Sequence, residues 1–196
     1  MHGLINRAIQ CFVRDTYGAR SWENVASKAG LGFLEFEPML IYENAQTEAV
    51  LDAICDELSK SRDMVLEDIG TYLVTHPNVE ALRRLLRFGG VDFVEFLHSL
   101  DDLPDRARLA VADLELPALE LREHAVDQFS LTVRSQGVEG FGHVMMGILR
   151  TLADDYGALV FLEHQGGRQG VETIEITLIE TAFAKGRSFD LGAQVG

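Results

Sequence analysis

Two cysteines in 196 residues, Cys11 and Cys55, are too few for a disulfide framework. Each lies inside an apolar helical pattern, which favours two buried free thiols in a reducing cytosol, with a bond between them as the alternative. Basic residues are scarce as well: 17 Lys and Arg stand against 31 Asp and Glu, a net charge of −14. A phosphate backbone or an anionic membrane surface would be repelled by that balance, so neither nucleic acid nor membrane is expected as a partner. No apolar run approaches the roughly 18 residues of a membrane span, and the chain does not open on a basic n-region with an apolar h-region. The expected location is therefore cytoplasmic. Catalytic motifs are missing too. His2, His76, His98, His124, His143 and His164 form no H-x-x-x-H or C-x-x-C spacing, and no phosphate loop, nucleophile elbow or Cys/His dyad is legible. With no acid, base or nucleophile constellation, neither a metal centre nor an enzyme is the expected reading.

What the chain does have is core material, 47% hydrophobic, in a length sufficient for one large domain or two small packed ones. Leu4, Ile5, Ala8, Ile9, Phe12 and Val13 recur at helical spacing and stop at Gly18. SWENVASKAGL predicts a second helix with Ser21 as N-cap and Gly30 at its end, and TEAVLDAICDEL a third over Thr47 to Leu58. SRDMVLEDIGTYLVTH predicts a fourth, capped by Asp63, and NVEALRRLLRFGG a short fifth closing at Gly89. Short loops between them predict one helical lobe over residues 1–90. Beyond residue 117 the period changes. PALELRE, DQFSLTVRS, GALVFLEHQ and VETIEITLIE read as strands, with one helix ending at Gly157 between the second and third and a hairpin turn at GGRQG. The expected class is α+β, a helical N-terminal lobe packed on a four-stranded antiparallel sheet crossed by one helix. Residues 1–184 would form one domain and 185–196 a Gly-rich tail that frays.

Between the two halves lies Gly89 to Glu120, GGVDFVEFLHSLDDLPDRARLAVADLELPALE, which predicts a helix opened by Gly-Gly, running through Pro104 and closing in an extended Leu-Glu-Leu-Pro segment. Asp101, Asp102 and Asp105 beside that proline read as caps and solvated charge. A ligand, if the protein holds one, belongs in the seam between the halves.

MHGLINRAIQCFVRDTYG, Trp22, IYENAQT, the Gly-Gly pair before a helix, Leu-Asp-x-Leu within it, Pro117 beyond it and MMGILRTLADDYG occur in an order and spacing that resembles the heme nitric oxide/oxygen-binding domain (H-NOX, or HNOB) from residue 1 to about residue 180. This is the sensor domain of soluble guanylate cyclase and of bacterial relatives. The resemblance implies heme sandwiched between a helical lobe and a sheet, with iron held by a histidine of the helix after the Gly-Gly pair. It also implies a signalling partner: a cyclase, or in trans a histidine kinase, a diguanylate cyclase or a chemotaxis receptor.

Carried over residue by residue, the resemblance is uneven. The family's proximal run resembles L-D-x-L-H with a proline thirteen residues on; here it is Leu100-Asp101-Asp102-Leu103-Pro104, with Pro117 thirteen residues beyond. Proline stands at the ligand position, and a proline inside a helix costs about 3 kcal/mol unless it begins a new one. The propionate clamp, Tyr-x-Ser-x-Arg in the family, matches Val133, Ser135 and Gly137, keeping only the serine, while Arg134 is one step off and would point to the other side of a regular strand. Ile5, Ile9, Val144 and Ile148 would line the distal pocket, with Val144 where oxygen-binding members carry tyrosine. Their alternative role is ordinary core. His98, the candidate substitute ligand, precedes Pro104 by six residues, roughly 240° around a helix, and would face elsewhere. The expected protein is thus an H-NOX-fold sensory or regulatory protein without conventional heme ligation, its seam filled by side chains or by an apolar ligand. A nitric oxide sensor with heme on His98 is the first alternative, and an enzyme using the seam is the second.

Overall fold

The computed structural model describes residues 1–87, 89–135 and 139–186. The expected tail falls almost wholly on 187–196, outside the described residues. Helix α1 (Gly3–Tyr17) is capped by His2, whose Nδ1 accepts from the Leu4 amide at 3.1 Å, and it ends at Gly18 with φ of 95°. Helix α2 (Ala19–Lys28) starts two residues earlier than Ser21, because Gly18 already turns the chain. The Ser21 hydroxyl instead donates to the Tyr17 carbonyl. Helix α3 (Asn44–Leu58) also starts early, and Thr47, expected at its start, is buried in its first turn with its hydroxyl donating to Asn6 at 2.8 Å. Helix α4 (Arg62–Thr75) is capped by Ser61 and not by Asp63. A 3-10 turn (Pro77–Val79) leads into the short basic α5 (Glu80–Arg87).

The stretch after the Gly-Gly pair is not one helix. It is α6 (Phe93–His98), a turn, and α7 (Leu103–Ala110). Asp92 caps α6 by accepting from the Glu95 amide at 2.9 Å. Strands β1 (Ala118–Ala125) and β2 (Gln128–Arg134), helix α8 (Phe141–Tyr156), and strands β3 (Leu159–Arg168) and β4 (Val171–Glu180) follow. The four strands form one antiparallel sheet in the order β1-β2-β4-β3, with α8 crossing over β4 on the way from β2 to β3. The expected hairpin is present: Arg168 pairs with Val171 across Gln169 and Gly170, both at positive φ, as a two-residue primed turn requires.

The inner face of the sheet, Leu119, Phe129, Leu131, Val133, Ile174, Ile176 and Leu178, is buried beneath α8 and continuous with the helical core. Helices α4 and α8 pack closer than side chains would allow. A Cβ on Gly70 would lie 2.1 Å from the Val144 carbonyl oxygen, and one on Gly147 would lie 2.1 Å from that of Glu67. Cys11 and Cys55 are separate half-buried thiols. Among the described residues no helix is long and apolar enough to cross a membrane.

Candidate functional site at the seam

The break between α6 and α7 has its own hydrogen bonds. Proline 104 lacks the N–H that would reach back to the Leu100 carbonyl, and that carbonyl accepts instead from the Leu103 amide at 3.1 Å. The Arg106 amide bonds to the Asp102 carbonyl at 2.9 Å, so regular helix resumes with Pro104 in its first turn, where a missing donor costs nothing. Of the three aspartates in this stretch, Asp102 is the N-cap residue by position and makes no side-chain cap bond. Asp101 ties the break to the sheet by accepting from the Leu121 amide at 2.6 Å, and Asp105 pairs with Arg108 at the surface. The Arg106 guanidinium closes the end of α6 through the Ser99 carbonyl at 3.0 Å. The segment thus turns without a strained helix, and it buries Leu103 and Pro104 toward the seam.

Helices α1 and α8 supply the other apolar residues of this part of the core. Ile9 and Val144 are 6% exposed and Ile148 5%, with Ile5 half-buried beside them. Ile9, Val144, Ile148, Leu103, Leu119 and Val133 belong to one continuous buried apolar cluster, so residues far apart in sequence do converge. Val133 is fully buried on the inner face, whereas Arg134 points from the outer face, its Nη1 donating to Glu120 at 2.7 Å. Glu120 also accepts from Arg122, and these guanidinium hydrogen bonds, that of Arg134 foremost, hold its carboxyl below the ordinary range. Ser135 follows the strand with its amide on the Gly170 carbonyl, Pro117 is half-buried at the start of β1, and Gly137 lies outside the described residues.

His98 ends α6 half-exposed, its Nε2 3.3 Å from Glu123 and its ring edge-on to Phe129 with centroids 6.0 Å apart. Its ring is engaged by β1 and β2 at the surface. The seam has a further polar tie: buried His2 places Nε2 3.4 Å from Asp113, joining the start of α1 to the linker between α7 and β1.

The chain matches the Haem-NO-binding (HNOB) family over residues 2–164. It belongs to that family. It is 24% identical over 155 residues to soluble guanylate cyclase gcy-31 of Caenorhabditis elegans, covering 79% of this chain and 22% of the relative. To soluble guanylate cyclase 89Db of Drosophila melanogaster it is 21% identical, covering 80% and 23%. The chain therefore spans under a quarter of the length of these relatives. In structure it resembles the Fe(II) unliganded H-NOX protein from K. algicida, with a TM-score of 0.79 at 15% identity over 94% of this chain and 100% of that one. An S. oneidensis H-NOX protein in the Fe(II) state gives 0.77 at 16% identity, covering 92% and 97%. The helical N-terminal part and the four-stranded antiparallel sheet are those of the H-NOX fold.

The family binds heme, and the residues at this seam do not match that group. A ligand to iron needs a free lone pair, and the nitrogen of Pro104 spends its own on a tertiary amide. Arg134, the arginine next to the serine that the resemblance puts in the clamp, is turned to the outer face of the sheet on Glu120, and Ile9, Val144, Ile148 and Val133 are buried in the apolar core.

Sequence reasoning missed a tight polar joint outside the seam. Glu172, buried on the inner face of β4, accepts from the amides of Gly140 and Gly142 at 3.1 and 3.2 Å and so caps α8. His164 adds a contact of 2.9 Å to Glu172 and stacks on His143 with centroids 4.1 Å apart, while Asp63 and Glu67 each stand 3.5 Å from His143. The signal was available: in VETIEITLIE the phase holding Ile174, Ile176 and Leu178 also holds Glu172, a charge on the core side. An open cleft of about 250 Å³ borders this joint. Among the described residues no group of three or more His, Cys, Asp or Glu side chains is placed to hold a metal ion.

Proposed function

We propose that this domain, acting as one unit over residues 1–184, is a sensory or regulatory H-NOX module that works without conventional heme ligation. Its output is a change in the angle between the helical part and the sheet, felt by a signalling protein. The observation that supports this is Pro104, buried in the first turn of α7, where the resemblance puts the family's histidine. The covered walls at Ile9, Val144, Ile148 and Val133 support a seam filled by side chains. The movable joint in this reading is the turn between α6 and α7, held to the sheet by Asp101, while the contact of His2 with Asp113 sets the linker that follows α7 against the start of α1. A partner that bound one orientation more tightly would shift the population of the two, by no more than its difference in affinity. The partner would be a cyclase, as the names of the two relatives suggest, or a histidine kinase, diguanylate cyclase or chemotaxis receptor in trans.

The deciding experiment is expression with added heme followed by gel filtration. The expected result is a folded protein with no Soret band at stoichiometric intensity. A stoichiometric band lost in His98→Ala would overturn the reading in favour of a nitric oxide sensor with an atypical ligand. A band that survives His98→Ala would overturn it in favour of another axial group.

A further inference from the structure

The two edges of the sheet differ. On β1 the outer face carries Glu120 and Arg122, locked with Arg134 into an ion cluster, and Glu123 is engaged by His98. Charges of this kind blunt an edge against pairing. On β3 the central run is Val160-Phe161-Leu162. Phe161 is 59% exposed on the outer face, and Val160 and Leu162 are only half covered on the inner one. Among the described residues no backbone hydrogen bond reaches that edge from outside β3 and β4. Irregularities at Leu159/Val160 and between His164 and Gly167 confine the regular ladder to the middle of the strand.

We infer that the free edge of β3 is a self-association surface, on which a second copy of this chain pairs antiparallel about a two-fold axis through Phe161. An axis there sets Phe161 opposite Phe161 of the second copy and Val160 opposite its Leu162, twice over. The pairs are aromatic with aromatic and aliphatic with aliphatic, and a two-fold interface requires just such a self-complementary patch. On the outer face Ile179, 59% exposed, lies diagonal to Phe161 across the Phe161–Thr177 pair and widens the apolar contact.

Charge fits the same register. Glu163 falls opposite Leu159 of the second copy, so no two like charges face each other directly. Lys185 is exposed beside the start of β3, because the Ala184 amide bonds to the Gly157 carbonyl at 3.0 Å. In the paired register that end of the strand runs alongside Glu163 of the second copy. Neither Glu163 nor Lys185 has an ion-pair partner among the described residues of its own chain. Within the described residues, each copy therefore offers the other the ammonium of Lys185 and the carboxylate of Glu163. The product is an eight-stranded sheet with the two α8 helices on one side.

Sedimentation equilibrium of the wild-type chain from micromolar to millimolar concentration is expected to show a reversible monomer–dimer equilibrium. Phe161→Lys, which opposes two ammonium groups across the axis, weakens it by roughly tenfold or more with an unchanged melting curve. In a Cys11→Ser, Cys55→Ser background, Phe161→Cys gives a disulfide-linked dimer on mild oxidation, since Cα atoms of opposed residues lie about 4.5–5.5 Å apart. Ile179→Cys, a strand away from the axis, remains monomeric under the same oxidation. A wild-type chain that stays monomeric at the highest concentration overturns the inference, as does a dimer that Phe161→Lys leaves intact. Loss of the seam reading would leave these results unchanged, because β3 lies at the far side of the sheet from β1 and α7.

Discussion

Two of the contacts that hold the helical part to the rest of the molecule are built differently. Helices α4 and α8 meet backbone to backbone at Gly70 and Gly147, with no space for a side chain between them. The α6–α7 segment meets the sheet through side chains and a few hydrogen bonds: Phe96, Leu97, Leu100 and Leu103 in the core, and Asp101 on the Leu121 amide. Short helices with separate caps can rotate against their neighbours by changing the turn between them. A crossing closed at the level of the peptide planes can change only by separating. The difference assigns rigidity to the crossing of α4 and α8, and adjustability to the α6–α7 segment.

The strongest way to break that comparison is to force the crossing apart. Gly147→Val places its Cβ against the Glu67 carbonyl and the Thr71 amide, 2.1 and 2.8 Å away, and is expected to cost about 4 kcal/mol or more, or to abolish folding. Gly166→Ala is the control. Its φ of 77° is unfavourable for alanine yet nothing lies within 4 Å of the new methyl, so the loss is about 1 kcal/mol. Urea midpoints at constant m value report both. If Gly147→Val behaves like the control, the crossing is not the rigid contact.

Phe96→Ala tests the other side. Phe96 is fully buried on α6, its ring 6.0 Å from that of Tyr156 on α8 and 5.8 Å from Phe93. The expected loss is about 3 kcal/mol, with hydrogen-exchange protection falling first over residues 93–110 and last over α4 and α8. A uniform loss across all elements would mean that the two contacts unfold as one unit.

A smaller effect comes from the polar contact between α1 and α4. Burial alone would raise the Asp15 carboxyl, but hydrogen bonds from Tyr72 at 2.7 Å and Asn78 at 2.9 Å, with His76 and Arg14 nearby, outweigh it and hold it below its ordinary range. A depressed folded value stabilises the protein above the unfolded carboxylate range, and that stability is lost as pH falls through the folded value. Tyr72→Phe removes the first donor. It is expected to cost about 1 kcal/mol near neutral pH, and the gap from wild type should close as pH falls below the ordinary carboxylate range and through the depressed value of Asp15. A gap independent of pH would show that the hydroxyl acts through packing and not through Asp15.

Much of the architecture was legible because period and punctuation agreed. The stripe from Leu4 to Val13 made α1, the alternation in VETIEITLIE made β4, and Gln169-Gly170 made the hairpin. Cap positions failed where a tertiary contact took over a local signal. Thr47 looks like a helix start but spends its hydroxyl on Asn6 of α1, and Ser21 yields to the turn at Gly18. The site was half legible. The resemblance pointed to Pro104 and to Ile9, Val144 and Ile148, and the fold brings the three aliphatic side chains into one core with Leu103. The long-range polar ties, Asp101 to Leu121, His2 to Asp113 and Glu172 to the start of α8, were not foreseen: the first two join residues with no shared periodicity, and for Glu172 the period of β4 marks a charge on the core side but not its partner.

Pro104 gives the finest test of the comparison, because two local structures predict opposite signs. In an unbroken helix from Phe93 to Ala110, proline would sacrifice a backbone bond and clash with the preceding turn, so Pro104→Ala would stabilise by about 3 kcal/mol. In the structure the Leu100 carbonyl is already satisfied by Leu103, and the proline sits in the first turn of α7, where its fixed φ suits the helix and lowers the entropy of the unfolded chain. Replacement then removes only that entropic advantage and a little buried surface. The expected change is a destabilisation below about 1 kcal/mol, read as a slightly lower urea midpoint with circular dichroism unchanged. A gain in helix content with a higher midpoint would mean that the break is imposed by proline alone, and that the two short helices are one helix held open.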